Sequence, residues 1–172
     1  MTSSKELLNN RGQRVLLYDR HMPEIDDVTL LVLKGHLLVE EVLFALAGTV
    51  FPNPQYLPRF TFHNLACVVR AVIPLRADDP CWEMILKLNS LRNDLAHNLE
   101  SAKRYARIAE LFHIHDQVEP TPSIQVDKHE ESTLSDSERL RLIIQDSMKF
   151  LLSLDFDIQT KPLANADESA NG

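Results

Sequence analysis

Apolar residues recur at steps of three and four along most of the chain, and no stretch alternates apolar with polar as a half-buried strand would. The pattern predicts helices throughout. Ser3-x-x-Glu6 has the form of a capping box, opening a first helix that runs to about Tyr18. A second is predicted from about Ile25 to Ala47. Pro23, Glu24, Asp26 and Asp27 place negative charge at its start, where the helix dipole favours it, and Gly48 reads as its carboxy-terminal cap. Its stripe of Leu30, Leu33, Leu37, Leu38, Val42 and Leu46, widened by Leu31, Val39 and Phe44, implies burial over much of its circumference. Phe51-Pro52-Asn53-Pro54 reads as a loop, because a proline cannot donate within a helix and pushes the preceding residue toward extended geometry.

A third helix is predicted from about Thr61 to Ile73, stopped by Pro74. The fourth has the clearest start, with Asp79 as cap and Pro80 at the first helical position. Trp82, Ile85, Leu88, Leu91 and Leu95 carry it to about His97 or Asn98. Ala102 to His113 continues as a helix after a break at Asn98–Ser101. Residues 117–133 lose the period and read as a loop. Ser135-x-x-Glu138 caps a last helix whose stripe is Leu140, Ile143, Ile144, Leu151 and Leu154. The expected fold is all-α: an up-and-down bundle of four to five main helices in one domain over residues 1–156. Its core lies in 25–115, its closing helix spans 135–154, and residues 157–172 are expected to form a disordered tail.

Composition narrows the function classes. A chain of 172 residues with 44% apolar and 25% charged residues is an ordinary globular domain that needs no metal or disulfide to fold. Cys67 and Cys81 have no CxxC spacing and sit among apolar residues, so both are expected in the core and neither suggests a zinc site. Neither GxGxxG nor GxxxxGK[ST] occurs. The apolar run from Leu30 to Phe51 is broken by Lys34, His36, Glu40 and Glu41, which argues against a membrane span. The opening MTSSKELLNNRGQRV has no apolar core of signal-peptide length, so a cytoplasmic location is expected. The net charge is −7, but residues 1–115 carry 13 basic and 13 acidic side chains, against 5 and 12 in 116–172. The acidity belongs to the last third, and a local anion site remains compatible with it.

One string carries candidate chemistry: Leu91-Arg92-Asn93-Asp94-Leu95-Ala96-His97-Asn98. Arginine is a permanent, bidentate phosphate ligand, and histidine is the side chain that exchanges a proton near neutral pH. At roughly 100° per residue, Asn93 and His97 stack one turn apart, and Arg92 lies about 140° from His97 but can wrap toward the same edge. On spacing alone the plainer reading is a solvated arginine beside an i,i+4 Asn–His hydrogen bond. His36 and Glu40 also meet at i,i+4, either lining a cleft or fixing helix register. Lys34 is a further phosphate-contact candidate, as are Lys103, Arg104 and Arg107, whose plainer reading is a solvated face. His113-x-His115-Asp116 looks metal-like, yet residues two apart point to different helix faces, so no metal site is expected. Trp82 reads as packing.

RNDLAH, within KLNSLRNDLAHN at the end of an apolar helix, resembles the Arg-x4-His signature of the HEPN superfamily (higher eukaryotes and prokaryotes nucleotide-binding domains). The upstream KGHLLVEEVL is similar to the long early helix of bacterial members, and the likeness covers about residues 25–115. The resemblance implies a HEPN-like bundle and a metal-independent endoribonuclease of toxin–antitoxin or phage-defence type, with no cofactor. It implies RNA as substrate, a homodimer that brings two motifs into one cleft, and an antitoxin or other protein partner. By the same carry-over His97 is general acid or base, Arg92 stabilises the phosphorane-like transition state, and Asn93 orients His97 or a phosphate oxygen. Cleavage then leaves a 2′,3′-cyclic phosphate and a 5′-hydroxyl. The chain is also similar to the mannitol-operon repressor family, which implies the alternative of a non-catalytic helical module that binds a protein or RNA.

Overall fold

The computed structural model describes residues 12, 13, 16, 27–73, 76–97, 103–118 and 134–160, with only the backbone at His97. The protein is all-α. From Asp27 onward the described residues form five helices in order, α1 (Val28–Val50), α2 (Phe62–Val72), α3 (Cys81–His97), α4 (Lys103–Gln117) and α5 (Asp136–Thr160), with one 3₁₀ turn at Pro54–Tyr56. No strand occurs among the described residues, and no helix among them is long and apolar enough to cross a membrane. Of the predicted first helix, Gly12, Gln13 and Leu16 are helical, and the rest lies outside the described residues. So do the expected break at Asn98–Ser101 and nearly all of the loop predicted over 117–133, of which Gln117 belongs to α4.

Helix starts follow from side chains that satisfy otherwise unpaired N–H groups. Asp27 accepts from Leu30 N at 2.8 Å, Thr61 from Asn64 N at 3.3 Å and Asp79 from Cys81 N at 2.9 Å. Ser135 and Glu138 form the reciprocal box, Ser135 N donating to Glu138 Oε2 at 2.7 Å and Glu138 N to Ser135 Oγ at 3.3 Å. Helix ends depart from expectation. Gly48 does not cap α1: the helix runs on to Val50, and Phe51 N–H donates to Ala47 O. Thr49 explains the extension, because its hydroxyl donates to Asp155 Oδ1 at 2.7 Å and ties that last turn to α5. Residues 157–160, expected in a disordered tail, are helical. Ile158 packs on the core, Gln159 Nε2 donates to Asp155 Oδ1 at 2.9 Å, and Thr160 Oγ1 donates to Phe156 O at 2.7 Å. Residues 161–172 lie outside the described residues.

α1 is the central helix, packing most extensively on α5 and also on α2 and α3, while α4 forms a hairpin with α3. Its contact with α5 is close because Gly35 has no side chain: a Cβ there would lie 2.2 Å from Ile144 Cδ1 and 2.8 Å from its Cγ1. Leu31, Leu43, Leu46, Leu88, Leu91, Ile143, Ile144 and Leu151 are fully buried around this axis. Each such side chain contributes about 1.5–3 kcal/mol relative to exposure. Trp82 is a packing residue, edge-on to Phe150 with centroids 5.3 Å apart. Its Nε1 donates to Arg76 O at 3.1 Å. Arg76 has a left-handed backbone (φ 58°), and its guanidinium donates to Asp79 Oδ2 and to Ser153 Oγ and lies over Phe150. Cys81 is buried, and burial together with Asp79 pushes its thiol up to about 12. Cys67, expected in the core, is exposed: Leu65, Ala66 and Val69 take the inner face of α2 and leave it outside, beside His63.

Candidate functional site

A cavity of about 400 Å³ opens where α1, the start of α2 and α3 meet. α1 gives it His36 and Glu40. The amino-terminal end of α2 gives Thr61, Phe62 and His63, and α3 gives Asn89, Arg92 and Asn93. Arg92 and Asn93 of the sequence motif therefore share one chamber with the His36–Glu40 pair. The one-turn spacing of His36 and Glu40, and of Asn89 and Asn93, puts both members of each pair at the cavity wall. The side chain of His97 lies outside the described residues; its backbone is the last helical position of α3.

His36 is the buried centre of the site, only 2% exposed. Its Nε2 donates to Asn89 Oδ1 at 3.0 Å, and that donation fixes Nδ1 as a bare lone pair. Nδ1 is buried, has no hydrogen-bond partner, and faces Glu40 Oε2 across 3.9 Å. Phe62 holds the ring from the side, with centroids 4.4 Å apart and planes tilted by 45°. Burial lowers the His36 pKa to about 4; the Asn89 hydrogen bond works against this, and the Arg92 charge adds to it. His36 is thus neutral at physiological pH and offers an acceptor, not a proton. Arg92 is half-buried, and its Nη1 donates to Asn93 Oδ1 at 3.1 Å, so Asn93 presents its carbonyl to the guanidinium. Thr61 already takes the Asn64 N–H at the start of α2, so Arg92 is the main cationic group of the chamber, with the remaining first-turn N–H groups beside it and Glu40 as the acidic member of the lining.

The remaining candidates lie elsewhere. Lys34 is exposed on α1, about 200° around the helix from His36. Lys103 is exposed at the start of α4, and Arg104 beside it has a buried, unpaired Nε with its guanidinium 6.0 Å from the Tyr105 ring. Neither lines the cavity. Arg107 is paired with Asp94, and Lys87 with Glu110, so both cations brace α3 against α4. His113 accepts from Gln117 Nε2 at 3.0 Å, His115 donates to Asp146 at 3.1 Å, and Asp116 pairs with Arg139 at 2.6 Å. Those three side chains go to three different partners. No group of three His, Cys, Asp or Glu that could hold a metal occurs among the described residues.

Comparison with protein-family models, curated proteins and solved structures finds no significant match. Sequence reasoning assigns no chemistry to Asn89, Thr61, Phe62 or His63. Only Asn89 carries a usable signal: it is a polar residue beside Leu88 on an otherwise apolar stripe, where an unpartnered amide is costly.

Proposed function

We propose that the protein is a metal-independent endoribonuclease of the HEPN type, with Arg92, Asn93 and His97 as its reactive group. The observation that carries this reading is the convergence of Arg92 and Asn93 on one cavity beside the first turn of α2, where the guanidinium can take a phosphodiester oxygen. In the reaction the ribose 2′-oxygen bonds to the adjacent phosphorus as the bond to the 5′-oxygen breaks. One proton leaves the 2′-hydroxyl and one reaches the departing 5′-oxygen. His97 exchanges these protons, a role that rests on its place in the motif; His36, neutral down to about pH 4, is too weak a base for it. Arg92 meets charge that develops only in the transition state.

A homodimer completes the reading. Leu30, Leu37 and Phe44 are exposed large apolar side chains at seven-residue steps on α1. Glu40 lies about 40° from Phe44 and about 60° from Leu37 around the same helix. Pairing of two copies along this stripe would set their cavities side by side, as a shared cleft requires.

The test is incubation of the purified protein with a broad RNA panel in EDTA, followed by end-group analysis. Wild type should leave 2′,3′-cyclic phosphate and 5′-hydroxyl ends. His97→Ala and Arg92→Ala should each cut about 10²–10⁴-fold more slowly while retaining the wild-type circular dichroism. Arg92→Lys should recover little, since a point charge lacks the planar fork. No cleavage by wild type, or full activity in His97→Ala, overturns the nuclease reading and favours the non-catalytic helical module.

A further inference from the structure

A second cavity, of about 470 Å³, lies where the last turns of α1 meet the loop that leads into α2, and it shares no lining residue with the Arg92 chamber. Leu65 on α2 is buried beneath it, and Phe44, Leu57 and Phe60 form its sides. Apart from Arg59, every residue that lines it is apolar, proline or glycine. A cavity of this size, mostly apolar with one charged group, has the composition of a small-molecule site.

Two features say what the cavity would take. Arg70, Arg76, Arg92, Arg107 and Arg139 each donate to an acceptor within the fold. Arg59, exposed at the cavity edge, donates to none among the described residues, and no carboxylate lines the space beside it. Its planar fork is open to a carboxylate from outside the fold. Gly48 is the second feature. Glycine weakens a helix interior, and Gly35 is repaid by its close contact with Ile144. Gly48 has no such contact: a Cβ there would meet nothing within 4 Å, and the residue does not cap its helix. What its missing side chain leaves is room at the cavity wall. We propose that this cavity binds an apolar monocarboxylate, its aliphatic or aromatic body against Phe44, Leu57 and Phe60 and its carboxylate on Arg59. One guanidinium without a second cation in the lining matches a single negative charge. An amine would meet repulsion, and a short acid without an apolar body would leave the walls wet. The inference stands apart from the ribonuclease reading, since neither cavity supplies a residue to the other.

The experiment is an amide NMR titration of the full chain at neutral pH with octanoate, octanol, octylammonium and acetate. Octanoate should bind saturably and move the amides of Gly48, Leu57 and Phe60. Octanol should bind about five-fold more weakly, a modest factor because Arg59 is solvated, and octylammonium and acetate more weakly still. Arg59→Ala should bring octanoate down to the affinity of octanol and leave octanol unchanged. Gly48→Leu, which fills the open wall and improves helix propensity, should abolish binding of both without lowering Tm. Should Gly48→Leu unfold, Arg59→Ala, at an exposed position, decides the matter. Equal affinity for octanoate and octanol, shifts confined to other parts of the chain, or undiminished octanoate binding by Arg59→Ala overturns the proposal. So does undiminished binding by a folded Gly48→Leu.

Discussion

Gly35 and His36 are neighbours on α1, yet they face different surroundings. The Gly35 side meets α5, where space is used to the last atom and polar groups are closed on one another. Thr49 donates to Asp155, Gln159 donates to the same carboxylate, and Ser147 donates to Ile143 O at 2.8 Å. Nearby on α5, burial raises the Asp146 pKa, but the His115 hydrogen bond and the Lys149 charge outweigh it and hold the group low. The His36 side meets α3 across a cavity, with a buried nitrogen left unpaired. Natural interiors satisfy nearly all buried polar atoms, so the unpaired Nδ1 of His36 sets this side of α1 apart from the other. One helix thus carries a closely packed face and a cavity-lining face about 100° apart.

The largest effect that should separate the two faces is a pH dependence. The fold holds His36 neutral, with a pKa of about 4 against an ordinary 6.5. Its contribution to stability is therefore fully present above about pH 6.5 and is lost as the pH falls from there toward 4, because the unfolded chain takes up the proton first. About 3 kcal/mol should be lost between pH 7.5 and pH 4 through this group, since each tenfold difference in proton affinity is worth about 1.4 kcal/mol. Urea denaturation of wild type and of the His36→Leu/Asn89→Leu double variant across that range measures it as a difference, because Asp146, held low, also loses stability toward pH 4 in both proteins. No difference between the two would show that His36 is solvated in the folded protein.

Gly35→Ala should come next. The added methyl group meets Ile144 at 2.2 Å, an overpacking cost of roughly 1–3 kcal/mol, offset by up to about 1 kcal/mol of helix propensity. The expected outcome is a fall in Tm of about 5 °C. Adding Ile144→Val, which removes the nearest carbon, should recover part of it, and simple additivity of the two changes would break the account.

The smallest effect should come from the cavity-lining face at neutral pH. His36→Leu with Asn89→Leu removes both partners of a buried hydrogen bond and the unpaired nitrogen with them. Stability at pH 7.5 should stay within about 1 kcal/mol of wild type or rise, since a paired replacement leaves nothing desolvated. The same variant should lose the acid sensitivity described above. A large loss at neutral pH would assign this face to the fold.

Helix starts are legible in the sequence because a cap is local: Asp27, Thr61, Asp79 and Ser135 each sit within three residues of the N–H they serve. Helix ends are less so. Gly48 has the composition of a cap, but Asp155, more than a hundred residues away, holds Thr49 in helix. Cys67 follows the same pattern, since its apolar neighbours in sequence say less about burial than which side of α2 meets the bundle. The candidate site is legible in halves. Arg92–Asn93 and His36–Glu40 stand out as separate pairs, but their meeting, and the part of Asn89 and Phe62 in it, depends on how α1, α2 and α3 pack. The phosphate roles expected of surface cations meet the opposite difficulty: Arg107 carries the right charge, and Asp94 already holds it.

The left-handed turn at Arg76 acts on the cavity without touching it. That backbone costs about 1–2 kcal/mol in a residue with a side chain, and it is held by the Trp82 indole, the Asp79 carboxylate, Ser153 and the Phe150 ring. Because Trp82 is fastened there, the azimuth of α3 is set at its first turn. Each residue gained or lost between Trp82 and Asn89 would rotate every later side chain by about 100°. Asn89 would swing away from His36, and Arg92 would point out of the chamber. The turn is the index mark of a dial, and the site is the number to which it is set.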